Sequence, residues 1–131
     1  MSRPIACRGR LFTIAFAVEK SGRIPGLEFI QSLPIAEQAK VLRLFQLVAD
    51  LGRSKNPEKF GDLGEGLFEF KSHQIRMPFV YHPRQRGLIL VTHGFFKEQQ
   101  RTPRTEIERA RRILFEDEGR PGPRIVPEKK R

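Results

Sequence analysis

Apolar residues recur at three- and four-residue steps through Ile35, Val41, Leu42, Leu44, Phe45, Val48 and Leu51, the spacing of one helical face. Pro34 suits the first helical position and Gly52 the stop, so the pattern predicts a long amphipathic helix between them. Just before it, Leu27 to Leu33 reads as a short helix that Pro34 ends, and Ser21 to Gly26 is a turn cluster. Leu11 to Val18 is an apolar run of strand length. A secretory signal is its rival reading, because Arg3, Arg8 and Arg10 precede it, but Glu19-Lys20 follows at once and favours the strand.

Arg53 to Gly66 is polar and glycine-rich and reads as a loop, a length at which loops often carry function. Leu67 to Phe70 and Ile75 to Tyr81 then alternate. Joined by a four-residue turn they pair Phe70 with Ile75, Phe68 with Met77 and Glu69 with Arg76, which gives one apolar and one charged face. Pro78 has no amide hydrogen for the ladder and implies an edge strand or a bulge. Leu88 to Phe96 is apolar on both faces, as a central strand is. A last helix is expected after Thr102-Pro103, with Thr102 as cap and a face of Ile107, Ala110, Ile113 and Leu114. The order is strand, two helices, three antiparallel strands and a C-terminal helix: an α+β fold with helices over one face of a small, antiparallel-dominated sheet. Residues 1–118 form one domain on this reading, and 119–131 a basic, proline-rich tail without fold.

Composition narrows the class. No apolar run approaches the roughly 18 residues that a membrane-spanning helix needs. The chain has one cysteine, Cys7, and three histidines, so neither a disulfide scaffold nor a zinc finger is tenable, and a reducing, cytoplasmic setting is expected. Its net charge is +10, with 25 Lys and Arg against 15 Asp and Glu. Ten cationic against seven acidic residues up to Glu65 leave +3, and 15 against 8 after it leave +7. Such a surplus attracts polyanions, so nucleic acid is the leading ligand class; a generically basic domain is the rival.

The runs Leu63-Gly64-Glu65-Gly66-Leu67-Phe68-Glu69-Phe70, Ile75-Arg76-Met77, and His93-Gly94-Phe95-Phe96-Lys97 leading into Arg101-Thr102-Pro103, with Glu106-Ile107 and Ala110 beyond, resemble the phage-derived, HigB-type branch of the RelE toxin superfamily. The resemblance runs from Leu11 to about Glu118. It implies a RelE-like fold and the toxin half of a type II toxin–antitoxin pair. Such a toxin is an endoribonuclease that cleaves messenger RNA on the ribosome without metal or other cofactor and is held inactive by a cognate antitoxin protein. A ribose 2′-oxygen attacks the neighbouring phosphorus in these enzymes, and cationic side chains steady the charge that grows on the phosphate oxygens. The rival is a non-catalytic regulator of the same fold that binds nucleic acid or a host protein.

On this resemblance Arg76 matches the family's middle-strand arginine, and its planar fork suits phosphate; the rival role is a cross-strand pair with Glu69. Lys97 matches the lysine of the His-Gly-Phe-x-Lys run, although Glu98 and Arg101 stand where relatives carry lysines. Lys71, at the hairpin mouth, is a candidate for the RNA backbone. His93, His73 and Tyr81 are open as proton-transfer groups. Arg101, Arg104, Arg109, Arg111 and Arg112 are candidates to grip RNA, against a solvated helix face interleaved with Glu106 and Glu108.

Overall fold

The computed structural model describes residues 2–120. In chain order the elements are β1 (Ile5–Arg8), β2 (Thr13–Phe16), α1 (Pro25–Gln31), α2 (Ile35–Leu51), β3 (Phe60–Gly64), β4 (Leu67–Ser72), β5 (Ile75–Tyr81), β6 (Leu88–Val91), β7 (Phe95–Phe96) and α3 (Arg104–Asp117). The tail expected beyond Gly119 lies, after Arg120, outside the described residues.

The α+β class is as the sequence predicts, with a mixed and mostly antiparallel sheet. Its strands run β1-β2-β6-β5-β4-β3, with β7 also against β5, and β2 and β6 are its parallel pair. The apolar face of α2 is buried through Val41, Leu44, Phe45, Val48 and Ala49, and Gly52, at φ 85°, stops the helix in a conformation that only glycine adopts freely. That face meets Ile14, Phe16, Phe70, Ile75, Met77, Phe79, Ile89 and Val91 from the sheet. Phe70 lies 4.7 Å from Phe45 and stacks on Phe79 at 4.3 Å. Each such fully buried phenylalanine contributes about 1.5–3 kcal/mol over an exposed one.

The structure corrects four expectations. Helices cover both faces of the sheet: Leu114 of α3 packs on Ala15, Leu88 and Leu90, opposite α2. The cause is β6, whose four residues are all buried and need cover above and below. Second, β1 and β3 are additional strands; both are short edges, and β3 (Phe-Gly-Asp-Leu-Gly) lies inside the polar stretch read as a loop. Its Gly61 leaves room for two neighbours, since a Cβ there would meet the Glu69 carboxylate at 2.8 Å and the Lys71 stem at 3.1 Å. Third, the β4–β5 hairpin turns on two residues, His73 and Gln74, so Ser72 pairs with Ile75, Lys71 with Arg76 and Phe70 with Met77. The slip is two residues, an even number, so every side chain stays on its predicted face. Fourth, Thr102 does not cap α3; Pro103 takes that position while the Thr102 hydroxyl donates to Glu69 Oε1 at 2.7 Å.

Pro78 sits in a central strand, and the bulge alternative accounts for it. Phe79 pairs with Val91 but Arg76 pairs with Phe95, so three steps along β5 face four along β6–β7. The extra residue falls in Thr92-His93-Gly94. Glycine is required there because the ring of Phe29 on α1 lies directly against the Gly94 backbone, in the space a Cβ would fill.

Candidate nucleic-acid interface

The tight β4–β5 turn holds His73 at φ 56°, a left-handed conformation uncommon outside glycine. Arg76 braces it. Its Nη1 donates to the carbonyls of His73 (2.7 Å) and Ile75 (2.9 Å). The residue is only 9 % exposed, yet Nε and Nη2 make no hydrogen bond among the described residues and keep contact with solvent. The guanidinium is thus fixed at one end and free to donate at the other. On one side of the turn, Lys71 Nζ donates to the Pro57 carbonyl at 2.9 Å. On the other, the Lys97 amide donates to the Gln74 carbonyl at 2.7 Å.

Beside this turn opens a cleft of about 620 Å³. Lys40, Arg43, Leu44 and Leu47 of α2 form one wall, Pro57, Glu58 and Lys59 the second, and Lys71, Ser72, His73 and Arg76 the third. Five Lys and Arg therefore face one acid. Arg43 and Lys59 make no ion pair among the described residues, and Lys40 makes only a solvent-exposed one with Glu37 at 3.6 Å. A concave surface of one sign with low-dielectric walls concentrates counter-ions, here anions. Sequence reasoning missed Lys40, Arg43 and Lys59. A signal exists on α2, where Lys40, Arg43, Leu44 and Leu47 follow the i, i+3, i+4, i+7 spacing of one stripe.

The other candidates divide. Lys71 and His73 line the cleft with Arg76, and Lys97 stands next to the turn with its ammonium 3.5 Å from Gln100 Oε1. Glu69 and Arg76 form no ion pair among the described residues, since Glu69 accepts from Thr102. Tyr81 packs among Phe12, Phe68 and Phe79 at the other end of β5, about 17 Å along the strand from Arg76. None of the arginines of α3 lines the cleft. Arg111 donates to the Gly64 carbonyl at 3.1 Å, Arg112 pairs with Glu19 and Glu116, and Arg104 lies 3.9 Å from Glu108. Arg101 and Arg109 are exposed. Among the described residues no three His, Cys, Asp or Glu side chains group as metal ligands, and no helix is long and apolar enough to cross a membrane.

His93 is fully buried at the bulge. Its Nδ1 meets the Thr92 hydroxyl and its Nε2 the Glu106 carboxylate, each at 2.9 Å, which suits a neutral ring that donates through Nε2. Burial pushes its pKa down to about 4, helped by Arg109 and Arg112 and opposed by Glu106. An unfolded histidine titrates near 6.5, so below that pH the unfolded chain takes up a proton that the folded one refuses. Stability should be full above about pH 6.5 and decline toward pH 4, by at most about 1.4 kcal/mol per pH unit. Thermal melts between pH 7 and 4.5 check this: wild type should lose Tm steadily and His93→Gln much less, and equal slopes would show that another group governs the loss.

No curated protein matches this chain. Residues 28–114, from within α1 to within α3 and including every lining residue of the cleft, match the family described as phage derived protein Gp49-like (DUF891). With two thirds of its length inside that match, the chain belongs to the phage-derived Gp49-like family.

Proposed function

We propose that this protein is the toxin half of a type II toxin–antitoxin pair, a HigB-like endoribonuclease of the RelE superfamily that cleaves messenger RNA on the ribosome and is held inactive by an antitoxin. The observation that carries the reading is Arg76, with guanidinium donors free at a cleft that holds four further cations and one acid. An RNA strand laid there would bring a phosphate to donors already oriented for it.

The reaction needs a base to take the 2′-hydroxyl proton, donors for the phosphate oxygens as O2′ bonds to phosphorus, and an acid for the departing O5′. The P–O5′ bond breaks, leaving a 2′,3′-cyclic phosphate and a 5′-hydroxyl. In our reading Arg76 stabilises the pentavalent phosphorus, since a fixed guanidinium donates to two oxygens without reorganising. Lys71, Lys59, Lys40 and Arg43 hold the flanking backbone, and Lys97 approaches from the far side of the turn. Proton transfer falls to His73, the exposed imidazole on the cleft wall. His93, sealed from solvent, serves by tying the bulge to α3 through Glu106.

Binding of single-stranded RNA across a salt series tests the use of the cleft. Removing a cation that neutralises one phosphate should flatten the log K against log salt slope by about 0.7. Lys40→Gln/Arg43→Gln should therefore lower the slope by about 1.4, twice that value, while Arg104→Gln/Arg112→Gln on α3 should leave it nearly unchanged. The reverse pattern would move the RNA to α3 and remove the cleft from the reading.

A further inference from the structure

Phe96 is a large aromatic residue left 55 % exposed on the two-residue strand β7. Neither the core nor the cleft requires an aromatic ring there. It pairs with Ile75 and shares that residue's face of the sheet, while Arg76 pairs with Phe95 on the other; paired antiparallel Cα atoms lie about 4.5–5.5 Å apart, so both rows meet at the His73 turn. Its ring rests on Phe29 of α1, with centroids 5.2 Å apart and planes tilted by 54°. Phe29 is itself pressed onto the Gly94 backbone, so Phe96 stands on a rigid brace. Lys97 follows directly, bonded to the turn that carries His73.

The surroundings select the ligand. A protein hot spot sits in a dry, apolar surround. Around Phe96 the chain offers Lys97, Glu98, Gln74 and the exposed His73, with the basic cleft across the turn. An exposed ring on one side of a turn whose other side opens on a basic cleft is a combination that single-stranded nucleic acid can use: phosphates on cations, bases on rings.

We propose that Phe96 is a stacking platform for one RNA base next to the scissile phosphate, and so helps set which nucleotide is cleaved. The proposal rests on reading the cleft as an RNA site. Stacking tolerates any base but favours the larger purine rings, so the platform sets a preference rather than a strict code.

The chain has no tryptophan, so Phe96→Trp adds a lone reporter. It is titrated with an uncleavable 2′-O-methyl RNA hexamer and with an abasic hexamer of equal charge. The base-bearing hexamer should quench the tryptophan and the abasic one should not. Phe96→Leu, which keeps an apolar contact to Phe29 and therefore the fold, should bind the base-bearing hexamer roughly 5- to 150-fold more weakly and the abasic one equally well. Equal affinity of Phe96→Leu for the base-bearing hexamer, or equal quenching by both hexamers, overturns the platform while binding that depends on Lys40 and Arg43 upholds the cleft. If neither hexamer binds any form of the protein, the cleft reading fails and the platform falls with it. Loss of a protein partner by Phe96→Leu with RNA affinity unchanged would reassign the ring to protein docking.

Discussion

Arg76→Ala should cut messenger RNA about 10²- to 10³-fold more slowly than wild type, the usual cost of removing one oriented donor from a developing oxyanion. The side chain also braces the His73 turn through two carbonyls, so some stability goes with it, about 1–3 kcal/mol for hydrogen bonds to a charged group. Cleavage must therefore be compared at a temperature where both proteins are folded by circular dichroism. Arg76→Lys separates the roles. A lysine supplies charge without the fork, so it should restore affinity for RNA but only part of the rate. Wild-type rates in the folded alanine variant would mean that Arg76 is a turn brace and nothing more.

The largest effect on stability is expected far from the cleft. Asp117, in the last turn of α3, accepts from Arg3 Nε on Oδ2 at 2.8 Å and from the Val18 amide on Oδ1 at 2.9 Å, and Arg3 Nη2 lies 2.8 Å from Oδ2 in an ion pair. The two side chains are 1 % and 2 % exposed. A carboxylate at a helix C-terminus opposes the macrodipole, so its burial there relies on Arg3 and the Val18 amide, with Arg120 Nε at 4.0 Å from Oδ1. Asp117→Ala would take a buried carboxylate from the Arg3 guanidinium and from the Val18 amide and should cost about 3–5 kcal/mol, a large share of a typical 5–15 kcal/mol total. Replacing both partners, as Arg3→Met/Asp117→Leu, should cost less than Asp117→Ala alone, because the most deeply buried cation among the described residues leaves together with the carboxylate. Urea denaturation measures both. A double variant as unstable as the single one would show that the pair is favourable in its own right.

Neither partner of that lock is legible in the sequence. Arg3 reads as one of several N-terminal cations and Asp117 as a helix-end acid, and 114 positions separate them. Periodicity reports what a residue's own element requires. It therefore locates α2 to within a residue and puts every β4–β5 side chain on its correct face. Alternation fixes a face but not a register, so the hairpin differs by two residues once its turn proves shorter. The strand β3 is held by pairing with β4 and by one buried residue, Phe60, whose ring lies 6.1 Å from Phe70, and a single buried apolar position makes no alternation that would mark it as a strand.

The site divides in the same way. Arg76 and Lys71 are legible because a hairpin brings near residues together. Lys40, Arg43 and Lys59 join them only when α2 and the segment before β3 pack beside the turn. His93 is the converse case: its place in a sequence motif suggests chemistry, whereas its burial and its two hydrogen bonds, which no motif reports, suit it to holding the bulge against α3.

The most direct test of the central claim is to add purified protein to translating ribosomes and sequence the ends of the messenger RNA. Cleavage through Arg76 should give new 3′ fragments with 5′-hydroxyl ends and upstream fragments with 2′,3′-cyclic phosphates, present with wild type and nearly absent with folded Arg76→Ala. Intact messenger RNA in the presence of bound wild-type protein would contradict the nuclease reading and leave a cleft that binds without cutting.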